Sequence, residues 1–363
     1  MPHPDITNTS PYACELLFVN DSGGFLVCVP LIQATLRIRT DGPLELLAKQ
    51  PPVDLAGQWW GDPAGSSMRI EPQIAPEKPG TDIVLLGHAY PGNRERTEGL
   101  IGIKVGALQK VARVFGDRRL IRRFGFDSIT APEPFERIPL TYEHAFGGWD
   151  RRHPDPSQHS FEPRNPVGMG YRDSRLPVEP ERVLPNIEDP AHPLRSASDR
   201  PPPVGFGFIA PDWPTRARYA GTYDKQWSDN RKPLLPVDFD PRFFNAASPG
   251  LVAPEGLVGN ESISVIGASE NGRVDFALPA IPPPALRIVT SSGQLVDQMS
   301  KLDTVIVDMD QLTVTLLWRS HLVLRRGIHE ISELQLPPMP AVPPDDDDAP
   351  DEVEEDGDLD WDD

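Results

Sequence analysis

Cysteine, cationic surplus, long apolar runs and helical periodicity are all scarce in this chain of 363 residues, and each scarcity excludes a class of protein. Two cysteines, Cys14 and Cys28, give neither a disulfide framework nor a zinc-binding spacing. Cys28 lies in an apolar, strand-like run and reads as a buried thiol. Lys and Arg number 35 against 54 Asp and Glu, a formal net charge of −19 with no basic patch, which argues against nucleic acid as a partner. No apolar run approaches the roughly 18 residues of a membrane-spanning helix. Met1-Pro-His-Pro-Asp5 lacks the charged start and apolar stretch of a secretory signal. The expectation is a cytoplasmic protein without a membrane span.

What the chain has in excess is proline, 44 residues, against a usual share of roughly 5%. That much proline removes backbone donors and disfavours long helices and central strands. The fold class expected is mainly β: antiparallel sheets, sandwich-like or barrel-like, with little helix and a long ordered loop region in the middle. Residues 1–14 read as a leader with little to pack, 15–336 as a single β-rich domain, and 337–363 as a disordered Pro-rich acidic tail. Strand candidates include Glu15–Val19, Phe25–Val29, Ala34–Ile38, Ile83–Leu86, Leu100–Val105, Lys110–Phe115, Ser262–Ile266, Arg273–Leu278, Leu286–Val289, Asp303–Val307 and Leu312–Trp318. Turn signals at Asp41-Gly42 and Asn271-Gly272 separate apolar runs. Val314, Leu316 and Trp318 alternate with Thr315 and Leu317, so one face of that last hairpin should be wholly buried. The segment from Arg325 to Leu334 fits a helix or a strand about equally. The tail from Asp345 to Asp363 carries 13 acids and no base, leaving about −6 for the rest. Such a composition cannot bury enough apolar surface to offset ordering. It reads as a solubilising end or, with Trp361 as an anchor, as a lure for a basic partner.

The middle of the chain is unlike ordinary secondary structure. Tyr142-Glu-His-Ala-Phe-Gly-Gly-Trp-Asp150, Asn165-Pro-Val-Gly-Met-Gly170 and Leu184-Pro-Asn-Ile-Glu-Asp-Pro190 are followed by Gly205-Phe-Gly207, Trp213 and Arg216. Tyr219-Ala-Gly-Thr-Tyr-Asp224, Trp227 and Leu235-Pro-Val-Asp-Phe-Asp-Pro-Arg-Phe-Phe-Asn245 complete the stretch. Disordered linkers are poor in aromatics, so residues 142–245 read as an ordered, loop-built platform.

Each catalytic reading of that platform has a simpler rival. His153 and His159 sit in a polar loop without a His-Glu-x-x-His spacing. His144, between Tyr142 and Phe146, reads as a packed histidine that holds a loop through hydrogen bonds. There is no Gly-x-Ser-x-Gly elbow, and Thr222 fits a Gly-assisted turn. Glu188, Asp189, Asp224, Asp238 and Asp240 could supply a glycosidase pair beside sugar-stacking Trp213, Tyr223 and Trp227, but Asp also caps turns by accepting from backbone N–H groups. The paired glycines lack the strand–turn–helix setting and the Lys of a phosphate loop. No catalytic residue, cofactor or metal is expected. Trp, Tyr and Arg dominate interface hot spots, and the contact residues expected for a partner are Trp149, Trp213, Tyr223, Trp227, Phe243 and Phe244.

The same motifs, with Lys78-Pro-Gly-Thr-Asp82 and Gly116-Asp-Arg118, resemble the family called domain of unknown function 2169, over roughly residues 15–320. That resemblance implies an accessory protein of bacterial type VI secretion. It would act as an adaptor or chaperone that helps load an effector with a PAAR-type tip domain onto the VgrG spike. It supplies no catalytic residues, and the acidic tail lies outside it. Two alternatives stand beside the adaptor: a hydrolase or carbohydrate-binding protein using Glu143 or Glu188 with His144, and a structural component of the secretion apparatus.

Overall fold

A computed structural model of the chain describes residues 4–39, 42–93 and 95–338. The organising element is the strand Leu26–Arg37, buried along nearly its whole length. It runs through the two separate apolar stretches expected from sequence and across Pro30. Proline is tolerated there because that side of the ladder is interrupted: Leu31 pairs with Arg319 and Cys28 with Leu322, leaving a gap where a missing donor breaks no bond. One face of the strand, with Cys28, Ile32, Ala34 and Leu36, enters the main core. The other, with Val27, Val29 and Leu31, packs on Val53 and Leu317. The large sheet runs in the order Ala13–Asn20, Leu26–Arg37, Thr313–Arg319, Lys301–Asp308, Thr81–Leu86, Val252–Ala253. All its neighbours are antiparallel except Lys301–Asp308 against Thr81–Leu86.

A five-stranded antiparallel sheet, in the order Ile187–Glu188, Leu108–Phe115, Glu98–Val105, Ser262–Ile266, Arg273–Ala277, contributes to the same core. A four-stranded sheet joins Asp5–Asn8, Ile331–Leu336, Ala285–Thr290 and Leu295–Met299. The molecule is mainly β with several antiparallel sheets, none of which closes into a barrel among the described residues, and its two α-helices, Pro214–Ala217 and Lys225–Asn230, are short. No described helix is long and apolar enough to cross a membrane.

Several expectations change. The segment read as a leader supplies a strand, Asp5–Asn8, paired parallel to Ile331–Leu336, and buries Tyr12 against Trp318 at 6.1 Å between ring centroids. Arg325–Leu334 resolves into a short turn of 3₁₀ helix at Ile328–Glu330 and the strand Ile331–Leu336. Gly116–Arg118 connects Leu108–Phe115 to a hairpin of Arg119–Arg123 and Phe126–Ile129 that is absent from the strand candidates above. The Asp41-Gly42 turn expectation lies partly outside the described residues, although its flanks pair as Arg37 with Glu45. From Met339 onward the tail is also outside them. Val314, Leu316 and Trp318 are buried together in the main core, and burial pushes the Cys14 and Cys28 thiols up to about 12.

Candidate functional site

The central motifs converge on a buried network of charges. Lys78 spends all three ammonium protons, on Glu71 Oε2 at 2.9 Å, Asp82 Oδ2 at 2.8 Å and Thr304 Oγ1 at 3.1 Å. Glu71 takes its second partner from Arg216, whose Nε donates to Phe243 O at 2.6 Å and whose Nη1 donates to Ile209 O at 3.1 Å. Asp82 accepts further from Asn245 Nδ2 at 2.9 Å and from Ala246 N at 3.0 Å. Arg319 pairs with Asp303 and donates to Gln73 Oε1 at 3.0 Å. Three cations and three carboxylates therefore balance inside the fold. Burial alone would lower the Lys78 ammonium, but Asp82 and Glu71 outweigh it and hold it above its ordinary value. Lys78-Pro-Gly-Thr-Asp82 thus ties the large sheet to Arg216 and to Arg242-Phe-Phe-Asn245, which sequence reasoning left as separate motifs. The signal available was a Lys and an Asp four apart at the mouth of an otherwise apolar strand.

A second set of motifs forms a backbone crossing. Phe146 pairs parallel with Met169, and Gly147 with Gly170. Gly147 sits at φ 153°, where a Cβ would lie 2.1 Å from Asn165 O, so only glycine lets the two loops approach. Buried Asn165 locks the crossing by donating Nδ2 to Tyr142 O at 2.8 Å and to Phe146 O at 3.1 Å. Below it, Asn186 Nδ2 donates to Phe115 O at 3.1 Å and Asp117 Oδ1 at 3.0 Å, and Asn186 Oδ1 lies 2.8 Å from His144 Nδ1. His144 is thus a loop-holding histidine. Arg118 covers the Phe115 ring at 3.8 Å and pairs with Glu188, whose carboxyl is pushed up by burial against the pull of that guanidinium.

One cluster has the composition of a nucleophile and its base. Ser248 Oγ accepts from Lys110 Nζ at 2.5 Å and from Tyr142 OH at 2.9 Å, and burial pushes the Lys110 amine down to about 7. The geometry is nevertheless that of a structural node. Ser248 has no exposed surface, and its proton is committed to Gly205 O at 2.6 Å. Glu143 is likewise spent, accepting from Ser67 Oγ at 2.7 Å. Among the described residues no group of three or more His, Cys, Asp or Glu could hold a metal ion.

The aromatics divide differently. Trp149, 45% exposed, stacks on Phe161 at 4.4 Å between centroids, with the Arg151 guanidinium 5.2 Å from its ring. Tyr223, 53% exposed, meets the half-buried Trp227 edge-on at 4.7 Å, and Trp227 Nε1 donates to Leu234 O at 2.8 Å. Phe243 and Phe244 are half-buried and pack with Phe239 at 5.7 and 5.2 Å. Trp213 is a correction: it is buried at 3% exposure, edge-on to Tyr142 at 5.1 Å, and belongs to a small core with Ala145, Ile209 and Ala210. It cannot meet a partner without unfolding its surroundings. The remaining five fall into three separate groups, with no ring contact joining them among the described residues. The groove beside Trp149 has a volume of about 370 Å³ and is lined by Gly147, Arg151, Met169, Arg182 and Val183 among others.

The family profile described as an uncharacterized protein conserved in bacteria (DUF2169) matches residues 24–319, most of the chain and every motif above. The chain belongs to this family. Within the DUF2169 match, the charged and glycine-rich motifs are accounted for by the buried network and the backbone crossing. The exposed aromatics Trp149 and Tyr223 fall inside the same span. No curated protein and no solved structure matches the chain.

Proposed function

We propose that the protein is a binding adaptor without turnover, which holds a secretion effector bearing a PAAR-type domain and hands it to the VgrG spike. The observation that carries the reading is the division of labour in the platform. Glu143 and His144 of the platform, and Lys78, tied to it through Glu71 and Arg216, are consumed by internal partners, whereas Trp149 with Phe161 and Tyr223 with Trp227 stand at the surface in ring pairs. Pre-stacked aromatics lose little side-chain freedom on binding and bring large apolar area with a polar handle, which is the composition of an interface hot spot. The role in type VI secretion comes from the motif resemblance set out above and from no comparison with a characterised protein.

Affinity capture of the full-length protein from the native bacterium tests this. The expected result is near-stoichiometric recovery of a PAAR-domain effector or spike protein, reduced by Trp149→Ala or Tyr223→Ala without a change in melting temperature. Recovery of the protein free of such partners from actively secreting cells would overturn the proposal.

A further inference from the structure

The hairpin missed in the sequence carries an uncovered face. With Glu181–Val183 it forms a three-stranded sheet in the order Phe126–Ile129, Arg119–Arg123, Glu181–Val183. Register places Leu120, Ile129 and Arg182 on the inner side, where Leu120 and Ile129 pack with Phe146, Leu184 and Leu194. The outer side therefore presents Arg119, Ile121, Arg123, Phe126, Ser128, Glu181 and Val183, with Arg119 paired to Glu181 at 2.6 Å. Phe126 is 80% exposed and Val183 45%, and exposed Arg123 has no partner among the described residues. At the tip, Phe124 is 99% exposed and holds φ 51°, ahead of Gly125 at φ 84°. A left-handed conformation is unusual for a bulky residue, and Asn-Gly would make this turn with less strain. Strain and exposure thus coincide on one phenylalanine.

We infer that this face is the docking site of the chain's own acidic tail, with Trp361 and Leu359 against Phe126, Ile121 and Val183, and the flanking aspartates toward Arg123. Complementarity supports it from both sides. The tail sequence alternates Asp358, Leu359, Asp360, Trp361 and Asp362, a pattern that bound as a strand would have one apolar and one anionic side. Many other exposed arginines are already neutralised by an acid two residues away, as in Arg152–Asp150, Arg175–Asp173, Arg242–Asp240 and Arg273–Asp275. The hairpin instead combines an unpaired guanidinium with uncovered rings. Reach is no obstacle, because residues 339–363 span up to about 80 Å at ~3.3 Å per residue, against a radius of gyration of about 20 Å for a folded chain of this size. The groove lined by Trp149 and Val183 adjoins this sheet, so a docked tail would border the Trp149 shelf.

The test uses the full-length chain with Trp361→p-benzoylphenylalanine, irradiated and mapped by mass spectrometry, with isotope-mixed protein separating contacts within one copy from contacts between two. The expected result is an intramolecular crosslink to residues 119–129 or 181–183. It should fall several-fold at about 1 M salt, where the Debye length is about 3 Å. It should be lost both in Arg123→Glu with Phe126→Ser at unchanged melting temperature and in Asp358→Asn with Asp360→Asn and Asp362→Asn, which changes no residue of 4–338. A crosslink to another face, one between copies, none at all, or one indifferent to these substitutions would overturn the inference.

Discussion

Lys78, Trp149 and Trp213 show how differently residues in and around the platform should respond to change. Lys78→Met leaves Glu71 and Asp82 facing each other without their shared cation, which should destabilise the fold by about 3–5 kcal/mol, since removing one partner strands buried charge. Denaturant unfolding measures this, and a loss below about 1 kcal/mol would mean that water already reaches the network. Trp149→Ala should weaken client binding by about 1–3 kcal/mol and leave the melting temperature alone. Trp213→Ala should cost about 3–5 kcal/mol of stability, as for any large buried aromatic. Aromatic clustering in the sequence is what marked both tryptophans, and it could not separate them. Exposure depends on what each ring meets, Tyr142 and Ile209 in a small core for Trp213 and exposed Phe161 for Trp149, contacts between segments that are separate in the sequence.

Asp150 gives the same platform a pH signature. Burial would raise its carboxyl, but the Arg152 side chain and the backbone N–H groups of Asp173 and Arg152 outweigh burial and hold it at about 2, below the ordinary 3.8. A depressed folded value stabilises at pH above the unfolded value, and the contribution is lost as pH falls through the folded one. The stability gap between the native protein and Asp150→Asn should therefore be full above about pH 5 and close toward about pH 2. Acid titration of both proteins by circular dichroism checks this, and a gap independent of pH would contradict it.

At the scale of elements, what the sequence disclosed follows from where burial is one-sided. Hairpins with clear alternation and small turn residues were legible, as with Ser262–Ile266 and Arg273–Ala277 around Asn271-Gly272. The Arg119–Ile129 hairpin was not, because paired arginines on each side of Leu120-Ile121 mask the alternation and Phe124-Gly125 lacks the usual turn composition. Asp5–Asn8 was equally silent, since all four residues are exposed and the strand exists only through its parallel partner at the other end of the chain. The backbone crossing at Gly147 makes its own prediction. Gly147→Ala should destabilise by at least roughly 1–3 kcal/mol, the cost of a strained backbone position, and more if the Asn165 loop cannot retreat. Thermal unfolding would show it, and an unchanged melting temperature would mean that the loops do not approach as closely as described.

The whole molecule reads as a β body whose interior charges fasten loops and whose aromatic pairs lie at its surface. Such a scaffold would serve the proposed adaptor role, in which contact residues held in place lose little freedom on binding. It also explains why the motifs that look chemical are so dense: they hold the platform together. The most direct measurement is the amount of PAAR-domain effector found on isolated VgrG spikes from cells lacking this protein, complemented with the native chain or with Trp149→Ala and Tyr223→Ala combined. The account predicts that spikes still form without the protein but carry little effector, and that the native chain restores loading while the double variant does not. Spikes equally loaded in its absence, or spikes that fail to assemble at all, would contradict it.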